Sequence, residues 1–244
     1  MKRIVVAALA ALLTTTCAWA DVLLTINNQQ YRYLKPVRLS QALAPVALGN
    51  NWYWPASAIY KLNDPAVEKM RFKVIAAIDD LALDLQPQDE DAVALRALRQ
   101  QIENWQLAKR ILTPIHYDAT RLNIAQNPLI TDGQYIVKLT TRPSVVHVSG
   151  LVTLPGEYEF QPMSSPFHYV KGISLRDNAE PDYIYIVDSK GNVDKVGVAY
   201  WNRNYQALMP GSQIFVPLFT YILSPEVDKL NREIAQLAVH RVLP

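Results

Sequence analysis

The sequence predicts an α+β protein with two related β-rich domains. One observation is Val145–Tyr158, where apolar residues alternate along a strand until Pro155 and Gly156 form a tight turn. A second is a repeated phrase, because Leu129–Val137 and Leu208–Pro217 both contain a turn with glycine and then a glutamine followed by three apolar residues. The two copies lie about 80 residues apart, which indicates a duplicated chain.

The composition favours globular domains and argues against a nucleic-acid partner. The chain has 244 residues, and 50% of them are hydrophobic, which is enough for packed cores. Without Lys2 and Arg3, which lie in a predicted leader, 22 basic residues balance 22 acidic ones. A nucleic-acid surface is strongly basic, so we expect no nucleic acid among the partners.

The first 20 residues have the pattern of a secretory signal peptide. Lys2 and Arg3 precede the apolar run Ile4–Leu13, and Ala18–Ala20 is a small-x-small cleavage site. The apolar run is too short for a membrane-spanning helix, which needs about 20 residues. We therefore expect export, cleavage after Ala20, and a mature chain without cysteine or a membrane-spanning segment.

The first domain, residues 21–143, begins with predicted strands and contains the densest aromatic cluster of the sequence, Asn50–Pro55. Trp52 and Trp54 have two interpretations. They form a stacking platform for a sugar ring, or they pack in the core, which we favour because large aromatic side chains dominate burial.

Residues 64–110 of this domain predict two antiparallel helices. Asp64 is a typical N-cap, Pro65 fits the first turn, and apolar residues then recur every three or four positions. Residues 89–91 are acidic, which fits the start of the second helix better than a calcium site. The apolar face of that second helix contains Leu95, Leu98, Ile102 and Trp105.

Lys109 and Arg110 are predicted to end the second helix, where the helix dipole favours cations. Arg110 has two further interpretations. It bonds backbone carbonyls and holds the helices on the sheet, or it clamps a carboxylate or phosphate of an acidic glycan through two parallel hydrogen bonds. We favour a structural role, yet Arg110 is the first candidate ligand-binding residue, ahead of Trp52 and Trp54.

The second domain, residues 144–220, is predicted to contain two hairpins and a short helix. An amphipathic helix over residues 224–242 follows, with Ser224 as its N-cap and Pro225 in its first turn. Its apolar stripe either docks on the protein itself, which we favour, or binds a partner helix. A membrane-surface role is disfavoured, because such helices are usually cationic with aromatic anchors. The stripe consists of Val227, Leu230, Ile234, Leu237 and Arg241.

The sequence shows no catalytic, metal-binding or cofactor-binding motif. The four histidines lie in unrelated segments, and none has the helical spacing of a zinc pair. A glycan-modifying enzyme with paired carboxylates is the remaining enzymatic alternative, because sequence spacing does not constrain such pairs. Its loose candidates are Asp118, Glu157, Glu159 and Asp182.

Several short motifs, taken in order, resemble the GfcC family of periplasmic capsule-biosynthesis proteins. The phrase at Val145–Tyr158, closed by Leu208–Pro217, is similar to the soluble-ligand-binding β-grasp module of Wza-type polysaccharide export proteins. The other matching segments are Asn51–Pro55, Arg110 with the two residues after it, Ala199–Arg203, Pro210–Gln213 and Leu230–Ile234.

The resemblance implies two β-grasp domains, the first with an inserted helical hairpin, followed by a C-terminal amphipathic helix. It also implies a non-enzymatic accessory protein in the periplasm that acts in the assembly or export of a capsular polysaccharide or exopolysaccharide. The expected partners are the surface polysaccharide itself or the polysaccharide export proteins, in the second case through an adaptor role of the C-terminal helix.

Overall fold

The computed structural model describes residues 21–220 and 225–244, which form a mixed α+β fold with two five-stranded sheets. The predicted leader and Ser224, the predicted N-cap of the last helix, lie outside the described residues. Within the described ranges, no helix has the length and hydropathy required to cross a membrane.

The first sheet has the strand order β2-β1-β7-β4-β5, and its central pair, β1 and β7, is parallel. Asn27 and Asn28 connect β1 to β2 with positive φ angles of 45° and 72°, as a tight hairpin turn requires. A separate ribbon pairs β3 with β6. The strands are β1 (Val22–Ile26), β2 (Gln29–Tyr33), β3 (Val37–Arg38), β4 (Ala58–Lys61), β5 (Lys109–Ile111), β6 (Leu129–Ile130) and β7 (Gly133–Lys138).

The second sheet has the order β11-β10-β12-β8-β9, with β8 and β12 parallel. Gly150 ends β8 with a φ of +96°, and a Cβ there would lie 2.0 Å from the carbonyl oxygen of Val216. Only glycine therefore allows β8 to approach β12 at this point. The strands are β8 (Val145–Gly150), β9 (Gly156–Glu159), β10 (Tyr183–Val187), β11 (Val193–Gly197) and β12 (Gln213–Val216).

The two sheets have the same topology, as the repeated phrase predicts. In each sheet, the first strand in the chain pairs with the second strand on one side and, in parallel, with the last strand on the other. The last strand then pairs with the third strand, and the third strand pairs with the fourth. Strands β7 and β12, which contain the two copies of the phrase, are the equivalent central strands.

Six α-helices complete the described chain. The side chain of Asp64 caps α2 by accepting a hydrogen bond from the backbone N–H of Ala66 at 3.0 Å, as predicted. Helices α2 and α3 lie between β4 and β5, whereas the equivalent strands β10 and β11 are joined by a short turn, residues 188–192. The helices are α1 (Leu39–Leu43), α2 (Pro65–Ala82), α3 (Glu90–Glu103), α4 (Tyr117–Leu122), α5 (Pro166–Lys171) and α6 (Pro225–Ala238).

Helices α2 and α3 pack with the second sheet, although they are encoded between two strands of the first. One hydrophobic cluster contains residues of α2, α3, α6 and the second sheet, whereas the first sheet has a smaller core of its own. The side chain of Gln101 on α3 also exchanges two 3.0 Å hydrogen bonds with the backbone of Gly150. The shared cluster includes Val74, Ile78, Leu98, Ile102, Phe215, Ile234 and Leu237.

Two predicted helix ends are wrong. Helix α3 ends at Glu103, so Lys109 and Arg110 lie in β5 instead of at a helix end. Helix α6 ends at Ala238, so Arg241 lies beyond it. In both cases the apolar spacing of the sequence continues past the end of the helix. The segments that follow α3 and α6 pair with each other instead. The Ala108 N–H donates to the His240 carbonyl at 3.0 Å, and the Val242 N–H donates to the Gln106 carbonyl at 2.8 Å.

The shared core predicts that a truncation on α3 destabilises the fold as a core mutation. Leu98 is fully buried, so Leu98→Ala is expected to lower the free energy of unfolding by about 2–5 kcal/mol in chemical denaturation. Phe72→Ala on the exposed side of α2, where Phe72 is 68% exposed, is the control and is expected to change it by less than about 0.5 kcal/mol. Equal effects of the two variants would contradict this packing.

Candidate ligand-binding site

Two clefts meet at Arg110, and each is lined by residues from both halves of the chain. The aromatic cleft has a volume of about 410 Å³ and includes Trp54, Leu112, His116 and Lys190. The cationic cleft has a volume of about 330 Å³ and includes Lys138, Arg142, His147, Glu157, Ser189 and Gln213. Arg110 lines both.

Arg110 is held between the two halves. It lies in β5 opposite Tyr60 of β4, with its guanidinium carbon 5.9 Å from the Tyr60 ring centroid. Its Nη2 donates to the backbone carbonyl of Ser189, and its backbone N–H donates to Nδ1 of His240 at 3.1 Å. Arg110 therefore binds a backbone carbonyl, but one in the turn between β10 and β11 and not one that holds the helices on the first sheet. The same half-buried side chain lines both clefts.

The turn that receives Arg110 is internally braced. The carboxylate of Asp188 accepts three hydrogen bonds of 2.8 Å, from the backbone N–H of Lys190, the backbone N–H of Asn192 and the side chain of Asn192. Gly191 has a φ of +94°, and a Cβ there would lie 2.7 Å from Leu112 and 3.3 Å from Arg110. Glycine thus lets the turn lie directly against Arg110.

The cationic cleft has unpaired positive charge. Arg110, Lys138 and Arg142 form no ion pair with any carboxylate of residues 21–220 or 225–244. Lys138 donates to the Leu243 carbonyl, and burial lowers the pKa of its ammonium group. Arg142 is exposed and lies 5.4 Å from the ring centroid of Tyr53. Glu157 and Asp188 also line this cleft, so three cations stand beside two carboxylates with which they form no ion pair.

Trp54 and His116 form the aromatic wall of the other cleft. Their ring centroids are 5.7 Å apart, with an interplanar angle of 31°. The Nδ1 atom of His116 accepts the backbone N–H of Ala119 at 3.4 Å, where it caps α4. The neutral ring therefore carries its proton on Nε2, which is left as a hydrogen-bond donor.

Trp52, the other predicted aromatic site residue, does not line either cleft. Its indole N–H donates to the Val46 carbonyl at 2.9 Å, and its ring packs on the core of the first sheet. Both tryptophans thus pack against this core, as we favoured, and Trp54 in addition lines a cleft with Arg110.

The apolar stripe of α6 is turned towards the protein itself. Leu230, Ile234 and Leu237 are buried, and Val227 is half-buried. The side chain of Asn231 binds the backbone of Leu218 through hydrogen bonds of 2.9 and 2.8 Å. To bind a partner through this stripe, α6 would have to leave the core that it completes.

Arg241 has a different place from the one predicted for it. Its guanidinium lies 4.6 Å from the ring centroid of Trp105 and donates to the side-chain oxygen of Gln213 at 3.0 Å. Burial lowers the pKa of Arg241 to about 10. The side chain is thus part of the junction between the C-terminal segment, α3 and β12.

The predicted carboxylates are dispersed. Glu157 lines the cationic cleft and approaches Nδ1 of His147 at 3.8 Å, whereas Asp118, Glu159 and Asp182 line neither of the two clefts. Across the described ranges, no three His, Cys, Asp or Glu side chains are grouped so that they can hold a metal ion.

Comparison with known proteins gives two family matches that together span most of the chain. Residues 18–142 match a family described as Capsule biosynthesis GfcC, N-terminal, and residues 154–243 match one described as Capsule biosynthesis GfcC C-terminal. The chain is also similar to the uncharacterized protein YjbG of Escherichia coli (strain K12), with 31% identity over 196 residues. That alignment covers 80% of this chain and 78% of YjbG.

Two histidines at the junction, the buried His147 and the half-buried His240, predict that stability is lost as the pH falls. Burial lowers the pKa of both His147 and His240. Below the ordinary value of about 6.5, the unfolded chain therefore binds more protons than the folded chain, and the free energy of unfolding decreases with decreasing pH. Urea unfolding at pH values above and below about 6.5 measures how the free energy of unfolding changes with pH.

The variant His240→Asn identifies the source of this slope. An asparagine oxygen can accept the Arg110 N–H in place of His240 Nδ1 but does not titrate in this range. We expect a flatter dependence on pH than in the wild type. An unchanged slope would show that His240 titrates alike in the folded and unfolded chains.

Proposed function

This chain belongs to the GfcC capsule biosynthesis family, and from that premise we propose that it is a non-enzymatic periplasmic accessory protein that binds an acidic surface polysaccharide during assembly or export. The observation that carries the proposal is the position of Arg110, which lines an aromatic cleft with Trp54 and a cationic cleft with Lys138.

The fold supports a finer description of the two halves. We infer that residues 21–143 and 144–220 are two β-grasp domains, because their sheets share strand order and orientation. Helices α2 and α3 are then an insertion, within residues 64–110, at the position where the second sheet has a turn. The insertion fixes the second domain against the first, which sets the width of the clefts between them.

The charge of the site favours an acidic polymer over a neutral one. A guanidinium and an ammonium group without carboxylate partners bind carboxylates or phosphates strongly, since hydrogen bonds between charged groups are the strong ones. Arg110 uses one of its terminal nitrogens for the Ser189 carbonyl, which leaves the other guanidinium donors for a ligand. Lys138 and the exposed Arg142 and Lys190 extend the positive charge to both sides of it.

The shape of the site favours an extended ligand. The two clefts share Arg110, and two segments, residues 54–58 and 188–192, contribute residues to both of them. The indole of Trp54 presents an aromatic face, which suits the apolar face of a sugar ring. A polysaccharide chain would thus lie along both clefts, with an acidic group at Arg110.

Periplasmic location rests on the signal-peptide pattern of residues 1–20 and on the family. The pattern predicts export through the secretion pathway and cleavage after Ala20. In the periplasm the protein would meet the polysaccharide on its path to the cell surface.

Binding of the purified mature protein to the acidic polysaccharide from the surface of the source bacterium tests the proposal. In calorimetry at low salt, we expect saturable binding by the wild type. Arg110→Ala should weaken it at least about tenfold, because a hydrogen bond to a charged group contributes about 1.5–3 kcal/mol. Trp54→Ala should also weaken it, because the substitution removes the aromatic face on which a sugar ring would pack. The affinity should fall as salt is added, since salt screens the exposed charges.

Two variants control this experiment. Arg96→Ala removes an exposed arginine of α3 that lines neither cleft and should leave binding unchanged. Lys138→Gln removes a cation without touching the Ser189 contact and should weaken binding even if Arg110→Ala destabilises the fold. Equal affinity of all folded variants, or no saturable binding by the wild type, would overturn the proposal and favour a protein partner.

A further inference from the structure

Three exposed aromatic residues lie together in the connection between β11 and β12. Tyr200, Trp201 and Tyr205 are 88%, 58% and 77% exposed, although large aromatic side chains normally dominate protein cores. All three lie within six consecutive residues of the chain, 200–205, which we name the aromatic loop. Exposed apolar groups that are clustered in this way mark a binding surface more often than scattered ones do.

The backbone of the aromatic loop is fixed by its own contacts. The side chain of Asn202 accepts the backbone N–H of Ala199 at 3.0 Å and donates to the Asp182 carbonyl at 3.1 Å. Gly197 allows a close approach, because a Cβ there would lie 2.2 Å from the carbonyl oxygen of Asn202. The Trp201 ring meets Tyr183 edge to face, with ring centroids 6.1 Å apart. The Trp201 ring and the backbone around Asn202 are therefore held in place before any ligand binds.

The chemistry around the rings fits a sugar chain. Residues 198–212 contain no aspartate or glutamate, and the rings are interspersed with Asn202, Arg203, Asn204 and Gln206. The ammonium group of Lys195 lies 4.8 Å from the Tyr183 ring centroid and is paired with the carboxylate of Asp228 at 2.9 Å. The guanidinium of Arg203 lies 3.5 Å from the Phe167 ring centroid. The exposed side chains of Asn204 and Gln206 therefore supply the amide groups that can bind sugar hydroxyls between the aromatic faces.

The aromatic loop lies at the opposite end of the β10–β11 hairpin from Arg110. Tyr183 pairs with Gly197 at the end near the loop, and Val187 pairs with Val193 at the end that leads into the turn bound by Arg110. Four strand steps separate these ends, a distance of about 13 Å at 3.3 Å per residue. A single sugar unit cannot reach both places, whereas a polymer can.

We propose that the aromatic loop is a second contact for the polysaccharide that binds at Arg110, so that one chain engages both ends of the β10–β11 hairpin. This inference rests on the proposed function, because it takes its ligand from there. Two linked contacts raise the apparent affinity for the polymer well above that of either contact alone. The protein would thus bind long chains in preference to single sugar units.

The test compares the full polymer with a fragment of one acidic sugar residue, both prepared from the acidic polysaccharide of the source bacterium. Calorimetry is done with wild type, Tyr200→Ala, Trp201→Ala and Arg110→Ala. We expect the loop variants to weaken polymer binding at least about tenfold, through loss of the linked contact, and to leave fragment binding unchanged. Arg110→Ala should weaken the binding of both ligands.

Tyr200→Ala distinguishes a loss of binding from a loss of folding, because a side chain that is 88% exposed contributes little to stability. Phe72→Ala, an exposed aromatic residue of α2, is the matched control and should bind as the wild type does. Unchanged polymer affinity in both loop variants, with a loss in Arg110→Ala, would overturn the second contact alone. No binding of the polymer to the wild type would overturn the proposed function and this inference together. A loss confined to the loop variants would overturn binding at Arg110 and, with it, the linkage of the two contacts.

Discussion

The packing of α2, α3 and α6 on the second sheet is the interaction on which the rest of the structure depends. The chain leaves the first sheet after β4, forms α2 and α3, and returns to the first sheet at β5. Because these two helices are buried against the second sheet, they join the two halves through a single core. Helix α6 completes that core, and the segment after it pairs with residues 106–108 beside β5. Because of this arrangement, the turn at residues 188–192 lies against Arg110 in every folded molecule.

The clefts follow from the same arrangement. Arg110 spans the junction by donating to Ser189 from β5, and a cleft opens on each side of this contact. Lys138 and Arg142 line one of these clefts together with Glu157 and Asp188, and neither cation forms an ion pair with a carboxylate of the described chain. Arg110 therefore holds the two halves together and also presents positive charge to a ligand. Its structural and ligand-binding interpretations are compatible.

Local patterns in the sequence predicted much of this fold, and long-range pairing determined the remainder. The Asp64 cap and the hairpin turns depend on residues that are neighbours in the sequence. The duplication is visible as a phrase that occurs twice. The end of α3, the place of Arg241 and the separation of Trp52 from Trp54 depend on contacts between distant segments, such as the pairing of Leu107 with Arg241. Lys138 and Arg142 had no motif to mark them, because only the folded chain brings them beside Arg110. The exposure of Tyr200, Trp201 and Tyr205 was equally invisible, since aromatic residues in a loop are more often buried.

The tryptophan indole signals offer the most direct test of polysaccharide binding at Arg110. The chain without residues 1–20 has four tryptophans, Trp52, Trp54, Trp105 and Trp201, and each gives one indole N–H signal in a two-dimensional NMR spectrum. On titration with the acidic polysaccharide, we predict that the Trp54 signal shifts in a saturable manner. The signals of Trp52, which is bound to Val46, and of Trp105, which is buried, should stay in place. A Trp54 signal that does not move at saturating polymer would contradict binding at this site.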